Sequence, residues 1–104
     1  MNLLRETLEI LEEHGKSFDD IEFVLCKGIT FSPEKARPMM DFEYDDGFGG
    51  QEVDETLKVV GKDFWLERHE YDGSEWWEYK CMPEKTGIEK GYKYETFKSN
   101  GWWD

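Results

Sequence analysis

Between Thr56 and Cys81 the chain passes through three β-prone stretches, TLKVV, FWLERHEY and EWWEYKC, separated only by GKD and DGS. Glycine in gaps that short is a hairpin signal, so the region is expected to form an antiparallel three-stranded meander. Neighbouring residues of a strand point to opposite faces of the sheet. Phe64, Leu66, Arg68 and Glu70 therefore share one side, and Trp65, Glu67, His69 and Tyr71 the other. In the next strand Trp77, Tyr79 and Cys81 oppose Trp76, Glu78 and Lys80. Each strand carries rings on both faces, and a chain of 104 residues has little with which to cover the second. Part of the aromatic set is therefore expected at the surface.

One helix is available to cover the first face. Leu3, Leu4, Leu8 and Leu11 recur at three- and four-residue steps, widened by Ile10, with Arg5, Glu6, Glu9, Glu12 and Glu13 between them. Asn2 suits the N-cap and Gly15 the stop, giving an amphipathic helix over about Asn2 to His14, with His14 at the negative end of its dipole. IEFVLC follows as a strand in which Ile21, Phe23 and Leu25 alternate with Glu22, Val24 and Cys26. Ser32 and Pro33 then start a helix that Pro38 limits to a turn or two. Tyr92, Tyr94 and Phe97 suit a short strand or helix, and Trp102 and Trp103 could cover a sheet edge. The expected fold is α+β, an N-terminal helix packed on a small, mainly antiparallel sheet. Residues 1–104 are read as a single domain, with 84–104 as a partly ordered tail.

Charge narrows the partners. Twenty-five acidic against 13 basic side chains give a net charge of −12. That field repels phosphate backbones and anionic membranes, so neither direct DNA or RNA binding nor membrane binding is expected, whereas a basic protein surface is attracted. Aromatics at 16% distinguish the chain from a disordered acidic segment. Cys26 and Cys81 stand apart without a C-x-x-C pair and read as reduced thiols. Arg5, Glu6 and Glu9 interrupt the apolar run a signal peptide or membrane span requires, so a soluble cytoplasmic protein is expected.

The segments LLRETLEILEEHGKS, DFEYDDGFGGQEV and WLERHEYDGSEWWEYK resemble a set of small acidic proteins encoded by phages and prophages of Gram-positive bacteria. The resemblance spans most of residues 1 to 81. That set has no assigned activity, so it implies context and no site residue: an accessory protein of a mobile element, in the cytoplasm of the host cell, of a class rich in inhibitors of host enzymes and antiviral defence.

Specific chemistries find weak support. Counted from Asp41, the acids Asp41, Glu43, Asp45 and Glu52 fall at positions 1, 3, 5 and 12 of a calcium loop, but the sixth position is Asp46 and the glycine comes one residue late at Gly47. Acids flank GFGGQE on both sides and would repel a phosphate. His69, beside Glu67 on its strand face, has the pairing of a general base. It lacks an accompanying G-x-S-x-G, H-x-x-x-H or Cys-His pattern. No metal or cofactor is expected.

The candidate binding residues are Trp65, His69, Tyr71, Trp76, Trp77 and Trp103, with Asp45, Asp46 and Glu52 of the acidic loop. Tryptophan and tyrosine supply large, stiff contact area at protein interfaces. The leading expectation is a non-catalytic inhibitor that binds a basic surface of a host protein. The alternatives are a sequestering protein for a small nucleotide, with Arg5, Lys27, Arg37 or Lys80 neutralising phosphate, and a small hydrolase using His69. Open sheet edges make a homodimer credible.

Overall fold

The computed structural model describes residues 1–45 and 50–99. Two helices, α1 (Leu3–Glu13) and α2 (Pro33–Met40), pack on a sheet of β1 (Ile21–Cys26), β2 (Ile29–Phe31), β3 (Lys58–Gly61), β4 (Phe64–Tyr71) and β5 (Ser74–Cys81). The sheet is antiparallel throughout, in the order β2-β1-β3-β4-β5. The fold is α+β, and the expected meander is its C-terminal three strands, extended by β1 and β2 on the far side of β3.

The local signals act as chemistry requires. The Asn2 carboxamide oxygen accepts the Arg5 N–H at 2.9 Å and caps α1. Ser32 caps α2 through the Lys35 N–H at 3.3 Å, with Pro33 at the first helical position. The β4–β5 turn places Asp72 and Gly73 at φ of +53° and +87°, and the β1–β2 turn places Lys27 and Gly28 at +52° and +77°. Two successive residues with positive φ match the twist of a two-residue hairpin, and glycine takes the second place in both. After Cys81 a short 3-10 turn, Tyr94–Phe97, stands where a strand or helix was expected.

One expectation is corrected in β1. A register shift between Ile21 and Phe23 breaks the simple alternation, so Ile21 and Val24 are both buried while Phe23 and Leu25 are only half-buried. Val24 joins Val59, Leu66, Phe64 and Trp77 in the core, under Leu3 and Leu11 of α1 and Ala36 and Met40 of α2. Gly61 touches this core by its lack of a side chain: a Cβ there would lie 2.0 Å from the Phe64 ring.

At one end of the core, the β4 face that begins with Phe64 and Leu66 continues with Arg68, whose side chain is fully buried. Its Nη2 donates to Glu75 Oε1 at 2.9 Å and to the Tyr44 hydroxyl at 3.2 Å, and its Nη1 to both Glu6 oxygens at 3.2 and 3.3 Å. Glu75 also accepts the N–H groups of Glu52 and Val53, at 2.7 and 3.1 Å. Glu6 takes the Tyr44 O–H and the Trp77 N–H as well. The Trp77 indole N–H donates to Thr7 Oγ1 at 2.8 Å, and its ring lies 4.8 Å under the guanidinium. Burial, and then the hydrogen bond to Glu6, push the Tyr44 hydroxyl well above its ordinary pKa. Burial alone would lower the Arg68 pKa, but Tyr44, Glu6 and Glu75 outweigh it and hold the guanidinium charged. The cluster ties α1, the 44 and 52–53 segments, β4 and β5 together.

Three substitutions test these contacts through stability. Arg68→Ala strands the buried Glu75 carboxylate and the partly buried Glu6 and lowers the unfolding free energy in urea by about 3–5 kcal/mol. Arg68→Lys does not restore it, because one ammonium cannot span Glu6 and Glu75 together. Gly61→Ala drives a methyl into the Phe64 ring and costs roughly 1–3 kcal/mol in the same measurement.

Candidate functional site: the uncovered sheet face

Both helices bury their apolar sides against Val24, Val59 and Leu66, which occupy one face of the sheet. The register builds the opposite face in rows. Phe23, Val60, Trp65 and Lys80 make one, and Leu25, Lys58, Glu67 and Glu78 the next. His69 pairs with Trp76 and Tyr71 with Ser74 beyond them. Among the described residues no helix lies over these rows. Their side chains are half-buried by one another, with Trp76 37% and Tyr71 77% exposed.

Polar contacts on this face follow the two-residue period of the strands. The Trp65 indole N–H donates to Glu67 Oε1 at 2.7 Å, and on the neighbouring strand the Trp76 indole N–H donates to Glu78 Oε2 at 3.2 Å. Glu67 and Glu78 stand directly opposite each other, an arrangement that like charges disfavour. His69 Nε2 lies 3.0 Å from Glu67 and 3.5 Å from Glu78, and Lys80 Nζ lies 3.4 Å from Glu78. The His69 ring packs along Trp76 with centroids 6.5 Å apart. The Trp65 hydrogen bond, then His69 and Lys80, hold the Glu67 carboxyl below its ordinary pKa. The Trp76 hydrogen bond does the same for Glu78, with Lys80 and His69 adding to it. The result is a pair of fixed carboxylates between two indoles whose N–H edges are already engaged, leaving ring surface for a partner.

The structure thus brings together Trp65, His69, Tyr71 and Trp76. It sends Trp77 into the core at 4% exposure, which removes it from the surface set. The cause is α1: the strand face bearing Trp77 is the one that Thr7 and Glu6 contact. Asp45 and Glu52 are exposed and joined to each other, the Asp45 N–H donating to Glu52 Oε2 at 3.2 Å, on the helix side of the sheet and away from the rings. The other loop acids go to separate partners: Asp41 accepts the Asn2 carboxamide at 3.0 Å, and Glu43 lies 3.7 Å from the Met1 amine. Asp46 and Trp103 lie outside the described residues, as does Trp102. Sequence reasoning missed Phe23, Leu25 and Val60 as part of this face. The signal available for them was Val24, an apolar residue at the intervening position.

Among the described residues, the side chains that the other readings need are dispersed. The basic side chains considered for a phosphate do not converge, since Arg5 and Arg37 sit on the helices, Lys27 in the β1–β2 turn and Lys80 on the outer face. Lys27 and Lys80 are paired with Asp54 and Glu78. The apolar cavity of about 290 Å³ between α2 and β1–β2 is on the helix side, lined by Val24, Phe31, Met40 and Leu57, and His69 does not reach it. No group of three or more metal-ligating side chains gathers among the described residues, and no helix there is long and apolar enough to cross a membrane. No family model, curated protein or solved structure matches the chain.

The indole clamp is open to titration. Because the Glu67 value is depressed on folding, its contribution to stability is complete above the unfolded-chain value and is lost as pH falls through the folded one. Trp65→Phe removes the principal cause of the depression. In a carboxyl-carbon NMR titration the Glu67 midpoint of this variant rises toward the ordinary glutamate range, and the stability lost on acidification shrinks with it.

Proposed function

We propose that the protein is a non-catalytic accessory protein of a phage or related mobile element that inhibits a host protein, a defence protein being the expected class, by docking its uncovered sheet face on a basic surface. The observation that carries this reading is the pairing of Glu67 and Glu78, pinned by indole N–H groups, within a face that also bears Phe23, Leu25, Val60, Trp65 and Trp76. Rings supply the anchoring area of an interface, and the fixed carboxylates, interleaved with Lys58 and Lys80, give it a charge pattern for a partner to match. The net charge of −12 over the whole chain favours a basic partner and speeds its approach. The mobile-element context is supported by the resemblance of the sequence segments alone. Inhibition follows from the same charge logic: carboxylates on a basic groove occupy the places of nucleic-acid phosphates.

The test is affinity capture from lysate of a Gram-positive host, with the wild-type chain and a Trp65→Ala/Trp76→Ala variant shown by circular dichroism to be folded. A basic protein is expected to be retained by the wild type and released by added salt. Its affinity for the double variant should be weaker by at least about 2 kcal/mol, a typical loss for truncated interface anchors. Equal retention by both chains would sink the assignment of this face.

A further inference from the structure

The helix side of the sheet keeps a space that its own side chains do not fill. Leu3, Val24, Ala36, Met40 and Val53 are each buried, yet together they line the apolar cavity of about 290 Å³ between α2 and β1–β2. The buried side chains of α2 are the small one of Ala36 and the unbranched one of Met40, and β2 ends after three residues. Ile29, Met39 and Phe42 also line the cavity while remaining 57%, 59% and 41% exposed, so they stand at its mouth. Large apolar side chains gathered around an opening mark a place where an apolar group binds.

Size limits that group. An apolar cavity of about 150 Å³ takes benzene, so this one has room for a fused pair of rings. Met39 and Met40 are unbranched and polarizable, and adapt their shape to such a guest. Charge sets the sign of what the ring carries. Lys27, Glu52, Val53 and Asp54 belong both to the cavity wall and to a shallow depression completed by Gln51 and Glu55. Lys27 Nζ lies 3.5 Å from Asp54 Oδ2, and the Thr56 N–H donates to Asp54 Oδ1 at 2.8 Å, so that carboxylate is already engaged. Glu52 accepts the Asp45 N–H at 3.2 Å, and among the described residues no basic side chain pairs with Glu52 or Glu55. An ammonium group brought to this rim is attracted, whereas a phosphate or carboxylate is repelled.

We propose that the cavity binds a small amphipathic amine, whose ring system enters among Val24, Ala36 and Met40 and whose ammonium group meets Glu52 at the rim. An arylalkylamine satisfies both parts of the site. A nucleotide does not, because it would carry phosphate to the same acidic rim. The cavity lies on the helix side of the sheet, so this binding stands or falls independently of docking by the outer face.

The test titrates the full chain, isotope-labelled at its methionine methyls, with tryptamine and with indolepropionate, two probes that share a ring system and differ in the sign of their charge. By NMR, tryptamine is expected to shift the Met39 and Met40 resonances saturably and to leave Met82, beyond β5, in place. Indolepropionate binds at least about tenfold more weakly, as reversal of charge beside a carboxylate requires. Glu52→Gln, which keeps an acceptor for the Asp45 N–H, narrows that ratio. Ala36→Leu sets a larger side chain on the cavity wall and abolishes the shifts caused by both probes. Cys26, half-buried on the same wall, gives a separate reading in the unaltered chain: tryptamine slows its alkylation by iodoacetamide, while the exposed Cys81 reacts at its former rate. Absence of a saturable shift at Met39 and Met40, or an equal movement of Met82, would overturn the site. Equal affinity for the two probes would overturn the part given to Glu52, and unaltered binding by a folded Ala36→Leu chain would place the ligand outside the cavity.

Discussion

The burial of Arg68 between Glu6 and Glu75 is the constraint on which the rest of this structure depends. The side chains of Arg68 and Glu75 are sealed from solvent and that of Glu6 nearly so, and each charge must therefore be answered within a few ångströms. Arg68 alone bridges β4 to α1 and to the start of β5, and Glu75 in turn holds the backbone N–H groups of Glu52 and Val53. Apolar packing against Val59 and Leu66 is not directional, whereas this cluster accepts α1 in one register and the loop before β3 in one place. Arg68 Nε has no partner among the described residues, so the cluster is also incompletely satisfied. It is better understood as fixing one arrangement than as adding much net stability.

Because that cluster and both helices lie on one side, no described helix covers the other side of the sheet. The consequence is chemical as well as geometric. On an open strand face, side chains two residues apart and directly across the ladder are each other's nearest neighbours. Trp65, Glu67 and His69 on one strand, and Trp76, Glu78 and Lys80 on the next, accordingly organise one another without help from a second layer. The rings are held by their N–H edges and the carboxylates by the rings. A surface preorganised in this way loses little side-chain freedom on meeting a partner.

Much of this was legible before any coordinates. The Asn2 and Ser32 caps, the Asp72-Gly73 turn and the division of β4 and β5 into two faces all follow from local rules, because caps, turns and strand alternation involve residues close in sequence. The β2 strand was overlooked although Lys27-Gly28 has the spacing and the conformation of Asp72-Gly73. Three residues are too few to show a period. The β1 register shift was invisible for a different reason: it is defined only against β3, more than thirty residues away. Of the candidate site, alternation puts Trp65, His69 and Tyr71 on one side of β4 and Trp76 opposite Trp77 on β5; that the two sets share a face, and that Asp45 and Glu52 lie on the other side of the sheet, follows only from the strand pairing and the packing.

The adjacent indoles mark the boundary between the two kinds of information. Strand alternation alone requires Trp76 and Trp77 to point in opposite directions, so the sequence determined that one would be covered and the other not. Which one was decided by where α1 came to rest, through Thr7 and Glu6, and by the need of Arg68 for a flat ring beneath it. The same holds for charge: the sequence set its sign and amount, and the fold decided that Glu75 would be sealed inside while Glu67 and Glu78 stayed at the surface. Local geometry acts along the chain, but burial depends on which distant segments meet, and that is settled only when the whole interior closes.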